Sequence, residues 1–427
     1  MDFNGLSIDQ APPISAPLRF FLTAPFFAMF AGFLIFFSDA SALMSRYSLE
    51  SIIVTHAITI GFFGFIMLGA LTQMLPVLAG AKIPKVKFAT TYSHLLLSFG
   101  LIFMFLGLFQ NNILFKSIAF VALGSGFMII LIPIALAIKG VSNFTPTVKS
   151  MANSIAFAFL IVFMGLFLFY SYISGNMSEL HATIANIHSV LAIFGFAGIL
   201  IIGVSFQVLP MFYVAPKFKN FCKRRVIWLI PAGLLLWAAL NIFDETYALL
   251  AKFWITLFFW AFATTVWKKL NARRRPISDV TVWYWRSASL FLTLGAFLWI
   301  FDEYFKHEYI VMVAILIGGG FIMSIMTGML YKIVPFLVWF HLNALGYMSI
   351  PTMNEMVNKK LAALQFILFI TSLIGFIFAF YMPLLLEISA VCFILSMVIL
   401  EYNIASVALV YMKTKKTKPE FDMSAFK

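Results

Sequence analysis

Residues Gly61–Pro76 read GFFGFIMLGALTQMLP, and the same frame returns at Gly195–Pro210 as GFAGILIIGVSFQVLP. Gly61, Gly64, Gly69, Gln73 and Pro76 match Gly195, Gly198, Gly203, Gln207 and Pro210 at one offset of 134 residues, and Phe62 and Leu75 recur as Phe196 and Leu209. A third, weaker copy, GFIMSIMTGMLYKIVP, spans Gly320–Pro335, 125 residues further on. There Met323 replaces the second glycine and Lys332 the glutamine, while Gly328 and Pro335 keep the frame. Apolar helices rich in glycine resemble one another, but chance does not readily hold five small or polar positions in one register. Internal repeats in a membrane chain point to repeated helix groups about a pseudo-symmetry axis, with sites where the groups meet.

Composition sets the solvent. The chain has 427 residues, 63% hydrophobic and 11% charged, with mean hydropathy +1.01. Such a chain needs lipid around it, and in lipid every backbone polar group must be bonded internally. The apolar runs lack the period-two alternation of strands, and most reach the ~20 residues that a helical span requires. Cys222 and Cys392 lie far apart and form no metal or redox motif. Residues 1–16 show no cleavable signal, and the first apolar run reads as a retained helix.

The expected fold class is therefore all-α, a polytopic membrane protein of about twelve spans. The spans are Pro17–Phe37, Ser51–Leu78, Ala89–Leu108, Leu114–Ile138, Met151–Tyr172, Thr183–Tyr213, Val226–Phe243, Tyr247–Trp267, Val280–Ile300, Tyr309–Phe340, Leu361–Ala379 and Leu384–Met412. The copies fall on spans two, six and ten. That predicts one transmembrane domain over 1–427, in three pseudo-repeats of four helices, approximately 1–139, 140–268 and 269–427.

The net charge of +13 would suit nucleic acid, but its distribution says otherwise. Lys and Arg concentrate in alternate loops, at 82–87, 139–149, 217–225, 268–275, 359–360 and in the tail from Lys413 to Lys427. Arg46, Lys116, Lys252 and Lys306 fall on the other side, with Glu50, Glu179, Asp244, Glu245, Asp302, Glu303 and Glu308. This is the positive-inside pattern. It places both termini in the cytoplasm, makes the lipid bilayer the partner and needs no nucleic acid. Trp228, Trp267, Trp283, Trp285 and Trp339 lie near span ends and read as an interfacial belt.

Gly69, Gln73 and Pro76 fall on one stripe of a helix. A glycine there permits close helix approach, and a glutamine in the membrane seeks a partner. Packing glue and the lining of a polar path both fit. Lys332, in the glutamine position, and Arg286 are close enough to the cytoplasmic surface to snorkel.

Six histidines carry the candidate chemistry. His56 and His188 open spans two and six, inside apolar sequence and ahead of the motif. An intramembrane imidazole is a functional candidate by default, and neutral imidazole is a leading ligand for metals and haem iron. Packing remains the alternative for both. His181, beside Glu179, and His307, among Glu303, Lys306 and Glu308, read as outer-loop residues and weaker metal candidates. His94 and His341 sit at cytoplasmic helix ends. The acids lie mostly in outer loops, with Glu387 and Glu401 near the two ends of span twelve, which weakens a proton-driven carrier. No nucleotide-binding or hydrolase motif occurs.

Twelve spans in three groups of four, with both termini inside, resemble the catalytic subunit of the haem–copper oxidases. The segments THAITIGFFGFIMLGALTQMLPVLAG and IHSVLAIFGFAGILIIGVSFQVLPMF also resemble an uncharacterised bacterial branch of that superfamily and, more distantly, the NnrS-type nitric-oxide-response membrane proteins, which bind haem and copper. The resemblance implies a bacterial inner-membrane protein in which His56 takes the place of the low-spin haem ligand and His188 that of a copper ligand. It departs from the family at span seven, VIWLIPAGLLLWAALNIF, which lacks the copper His pair, and at span ten, which lacks both haem histidines. Oxygen reduction at a binuclear centre is therefore not expected. The sequence leads to a haem b- or copper-binding protein in nitric-oxide response, metal handling or respiratory assembly, with respiratory-chain or assembly proteins as partners. The alternative is a cofactor-free transporter or channel with an axial path lined by the repeated Gly/Gln/Pro helices.

Overall fold

A computed structural model describes residues 11–243, 245–274, 279–305 and 307–421. Asp244, Arg275, Lys306 and Lys427, which entered the charge pattern, lie outside the described residues. Among the described residues all regular structure is helical. The long helices are α1 Ser15–Phe37, α2 Leu49–Ala79, α3 Val86–Phe109, α4 Ile113–Lys139, α5 Pro146–Ser174, α6 His181–Tyr213, α7 Asn220–Phe243, α8 Ala248–Asn271, α9 Val280–Phe301, α10 Ile310–Ala344, α11 Lys359–Phe378 and α12 Leu384–Thr414.

Eleven of these are long and apolar enough to cross a membrane. The exception is α9, whose first turns, VTVWYWRSAS, dilute its hydropathy with Trp, Tyr, Arg and Ser. Several helices run beyond their expected ends because caps extend them. The Thr145 side chain accepts the N–H of Val148, with Pro146 in the first turn, so α5 begins before Met151. Helix α7 begins at Asn220, which puts Lys223, Arg224 and Arg225 on its first turns rather than in a loop.

The chain divides into two compact units. One comprises Met1–Pro12, Ala70–Pro276 and Ser289–Ile322, and the other Pro13–Gly69, Ile277–Ala288 and Met323–Lys427. The first contains all of α3 to α8, and the second all of α1, α11 and α12.

Burial separates the motif helices from the rest. Of their most apolar windows, 61% (α2), 67% (α6) and 67% (α10) of positions are enclosed by protein, against 28–50% for the other eight candidate spans. Those other helices leave large apolar side chains uncovered, such as Phe33, Phe99, Val121, Phe163 and Leu257. Continuous exposed apolar surface of this kind needs lipid to cover it.

The motif glycines form the helix crossings, and the same contact recurs at each copy. A Cβ on Gly61 would stand 2.5 Å from Phe27 of α1, one on Gly195 2.8 Å from Phe157 of α5, and one on Gly320 2.5 Å from Phe291 of α9. Eight residues on, Gly69 lies against Phe20 and Phe21, Gly203 against Ser150 and Gly328 against Tyr284. Each motif helix thus lies across the first helix of its own group, with glycine where a side chain would push them apart.

Each motif helix also opens into a π-helical stretch at the same register: Ala57–Gly64, Leu191–Gly198 and Ile315–Met323. The wider turn loosens the ordinary backbone ladder, and such segments concentrate at functional sites. The Ser154 hydroxyl donates to the carbonyl of Phe196 at 2.7 Å inside the second of them. The first two motif helices end on matching left-handed residues, Gly80 (φ 65) and Val214 (φ 53).

Candidate functional site

His56 closes the last α-helical turn before the first π-helical stretch. Its Nδ1 lies 2.7 Å from the carbonyl oxygen of Ile52, one turn back. Neutral imidazole donates from one nitrogen and accepts at the other. With Nδ1–H donated to Ile52, Nε2 carries the lone pair, which is how ligating histidines are usually held by their neighbours.

His188 lies three residues before the second π-helical stretch, and its ring packs on Gly165 of α5, whose Cβ would stand 3.0 Å from Cε1. His181 is not an outer-loop residue. It is the first residue of α6, half-buried, with its ring edge-on to Tyr172 at 6.0 Å. His307 stays outside, about half exposed and in a left-handed conformation (φ 64), with Nδ1 3.2 Å from Asp302 and Nε2 3.9 Å from Glu303.

Among the described residues no three His, Cys, Asp or Glu side chains converge where they could hold a metal ion. A closed copper site therefore lacks a ligand set in the described residues. A haem asks less of the protein, since one imidazole suffices as an axial ligand. The Nδ1 of His56, held at the Ile52 carbonyl, leaves Nε2 as its acceptor nitrogen, and among the described residues His181, His188 and His307 do not combine into a metal centre.

The polar motif positions separate in role. Gln73 is 4% exposed and neither amide atom finds a hydrogen-bond partner, and the same holds for Oε1 of Gln207. Lys332 does not snorkel. Its Nζ makes a 2.6 Å ion pair with Asp279, just before α9. Burial raises the Asp279 pKa, but the Lys332 ammonium and hydrogen bonds from Thr281 and Val282 more than offset it and hold the carboxyl below its usual value. Pro76 and Pro210 occupy the last turns of their helices, whereas α10 continues for nine residues past Pro335.

The second unit contains a polar cluster that the sequence did not disclose. Tyr284 of α9 donates to Oε1 of Gln365 in α11 at 2.5 Å, and Tyr331 of α10 approaches the same oxygen at 3.4 Å. Asn403 of α12 reaches Tyr331 at 3.5 Å. All four residues are at most 4% exposed. Nε2 of Gln365 and Oδ1 of Asn403 have no partner, nor do the hydroxyls of Ser324 and Thr327, which lie with Tyr331 at i, i+3 and i+7 on α10. Only the third copy carries this polar stripe; the first copy has Phe65, Leu68 and Thr72 at those positions. Glu401, expected near a span end, sits in the middle of α12, 17 residues from its start and 13 from its end, with Oε2 enclosed and unpartnered. Trp285, expected in the interfacial belt, is 2% exposed, unlike Trp228, Trp267 and Trp283.

In the first unit, Lys252 is buried on α8, 2.8 Å from Glu303 and over the Trp299 ring. Lys116 is equally buried, donating to Asn111 and to the carbonyl of Tyr172. Both were legible as rare cations on the acidic side, though not as buried ones.

No protein-family profile matches this chain, and no curated protein matches it. The functional reading therefore rests on the residues themselves.

Proposed function

We propose that the chain is a multi-pass protein of the bacterial inner (cytoplasmic) membrane, with both termini cytoplasmic. In this reading it follows the oxidase subunit I plan of three four-helix groups and holds one b-type haem on His56. The observation that carries the assignment is the His56 ring: Nδ1 is committed to the Ile52 carbonyl at 2.7 Å, which orients an Nε2 lone pair at the mouth of a π-helical stretch. The thrice-repeated glycine crossing and the enclosure of α2, α6 and α10 support the repeat. The haem would supply a redox iron able to bind a diatomic ligand, in keeping with a nitric-oxide response, metal handling or respiratory assembly. Copper through His56 or His188 is the weaker form of the reading, for want of further ligands. No oxygen-reductase role is assigned, because α7 has no histidine and α10 has only His341, in its last turn, where the family needs a pair on each.

The test is a spectrum. Full-length protein produced with added haem and purified in detergent is expected to show a Soret band that shifts on reduction. His56→Ala is expected to lose it and His188→Ala to keep it. Wild-type protein without a Soret band or stoichiometric haem would remove the assignment.

A second reading, a cofactor-free transporter or channel, gains one specific observation. Glu401 is a mid-helix carboxylate, and the Tyr284–Gln365–Tyr331–Asn403 cluster lies in the same unit. Substituting Gln73 and Gln207 would abolish transport under that reading and leave a haem spectrum unchanged under the first.

A further inference from the structure

The segments around the start of α7 and the end of α8 carry a charge arrangement that the haem reading does not use. KFKNFCKRR (217–225) and KKLNARR (268–274) hold nine basic residues, and no Asp or Glu occurs at 180–243 or at 246–274. The fold ties the two runs together. The Lys269 ammonium donates to the carbonyls of Pro216 at 3.0 Å and Lys217 at 2.9 Å, and the Arg274 N–H donates to Val214 at 3.2 Å. Phe218, 6% exposed, anchors the connection beneath Lys269 and packs edge-on against Phe206.

Concentrating like charge costs energy unless a counter-charge arrives. Lys217, Lys219, Arg224, Arg225, Lys268 and Arg274 are exposed, and the ion pairs among the described residues lie elsewhere. Aromatic side chains surround the cations at the ends of two apolar helices. Phe221 (62% exposed) lies under the Arg225 guanidinium at 3.9 Å, Trp228 (56%) under Lys149 at 5.9 Å, and Trp267 (42%) lies just before Lys268 near the end of α8. Exposed Trp and Phe beside clustered Lys and Arg belong at headgroup depth.

We infer that this paired basic surface is a binding site for the phosphate of an anionic phospholipid headgroup, with Arg224, Arg225 and Lys219 from one run and Lys268 and Arg274 from the other. Arg suits a phosphate oxygen pair and the aromatics seat the acyl-chain boundary. The site stands apart from the haem assignment, and neither result bears on the other.

The test is lipid retention by the full-length protein in neutral detergent, read by native mass spectrometry with phosphatidylglycerol or phosphatidylcholine added. Each cation at the headgroup surface strengthens binding by about fivefold. The Lys219→Gln/Arg224→Gln/Arg225→Gln variant is expected to bind phosphatidylglycerol roughly a hundredfold more weakly. Lys268→Gln/Arg274→Gln, on the other run, is expected to lose roughly twentyfold. A tail variant removing as many charges, Lys413→Gln/Lys415→Gln/Lys416→Gln, is expected to bind as wild type. Equal loss in the tail variant would show a net-charge effect and overturn the site. So would equal retention of the two lipids by wild type. Binding of pyrophosphate alone with the same dependence on Arg224 and Arg225 would assign the surface to a soluble phosphate and overturn the lipid.

Discussion

Gly203→Ala tests the crossing on which the repeat depends. A Cβ at 203 would stand 2.6 Å from Oγ of Ser150 and closer still to its Cβ. The Oγ can turn about χ1, but Ser150 Cβ is fixed by the α5 backbone and cannot, and Ser150 is 1% exposed. Relief requires α5 and α6 to part, which also opens the Gly195–Phe157 contact eight residues earlier. Overpacking of this kind costs about 1–3 kcal/mol. Alanine returns up to ~1 kcal/mol through its helix preference over glycine. The net expectation is a loss of about 1–2 kcal/mol, read as a lower thermal midpoint in detergent by near-ultraviolet circular dichroism. Ser150→Gly removes the opposing Cβ, so the double variant Ser150→Gly/Gly203→Ala is expected to recover most of the loss, a coupling on the order of 1 kcal/mol. Gly318→Ala is the control, because nothing lies within 4 Å of its Cβ position. A Gly203→Ala protein as stable as wild type, or a strictly additive double variant, would refute the crossing.

Three further outcomes are expected. Val214 holds φ 53, a conformation that costs a β-branched residue about 1–2 kcal/mol, so Val214→Gly should raise the thermal midpoint, and a fall would show that no strain is stored there. Tyr284→Phe removes the short donor to Gln365 and should cost about 1–3 kcal/mol, whereas Tyr284→Phe/Gln365→Leu, which makes both partners apolar, should be nearer to neutral; equal losses would argue against the hydrogen bond. The Asp279 carboxyl is held below its usual value, so its stabilisation is complete above the unfolded-state pKa and is lost as pH falls through the lower folded value. Stability measured between about pH 6 and pH 3 should therefore fall more in wild type than in Asp279→Asn, and parallel curves would contradict the Lys332 pairing.

What the sequence could and could not disclose follows from how each feature is encoded. The helices were legible because most are long apolar runs, a few of them with a polar cap such as Thr145 or Asn358. The glycine crossings were legible because Gly61, Gly195 and Gly320 keep one register with Gly69, Gly203 and Gly328. The π-helical stretches were not, because a wider turn in AITIGFFG leaves no side-chain signature, and angles counted at 100° per residue fail across it. The polar cluster was hidden because its members stand 34 to 81 residues apart on four helices, and a lone Tyr, Gln or Asn in an apolar run looks like any other. A signal did exist: Ser324, Thr327 and Tyr331 form a polar stripe that the other copies lack. Glu401 was misplaced although the expected span Leu384–Met412 already put it well inside both ends; α12 to Thr414 leaves it there. Lys332 was expected to reach for the surface because its partner, Asp279, lies 53 residues away outside any span.

The central claim is that His56 offers Nε2 to a haem iron. Chemical rescue tests it most directly: His56→Gly produced with added haem is titrated with imidazole in the presence of haem and its reduced-minus-oxidised spectrum is followed. The account predicts a spectrum lost on substitution and restored by imidazole in the cavity left by the side chain. A His56→Gly protein whose haem spectrum matches wild type before any imidazole is added would contradict it.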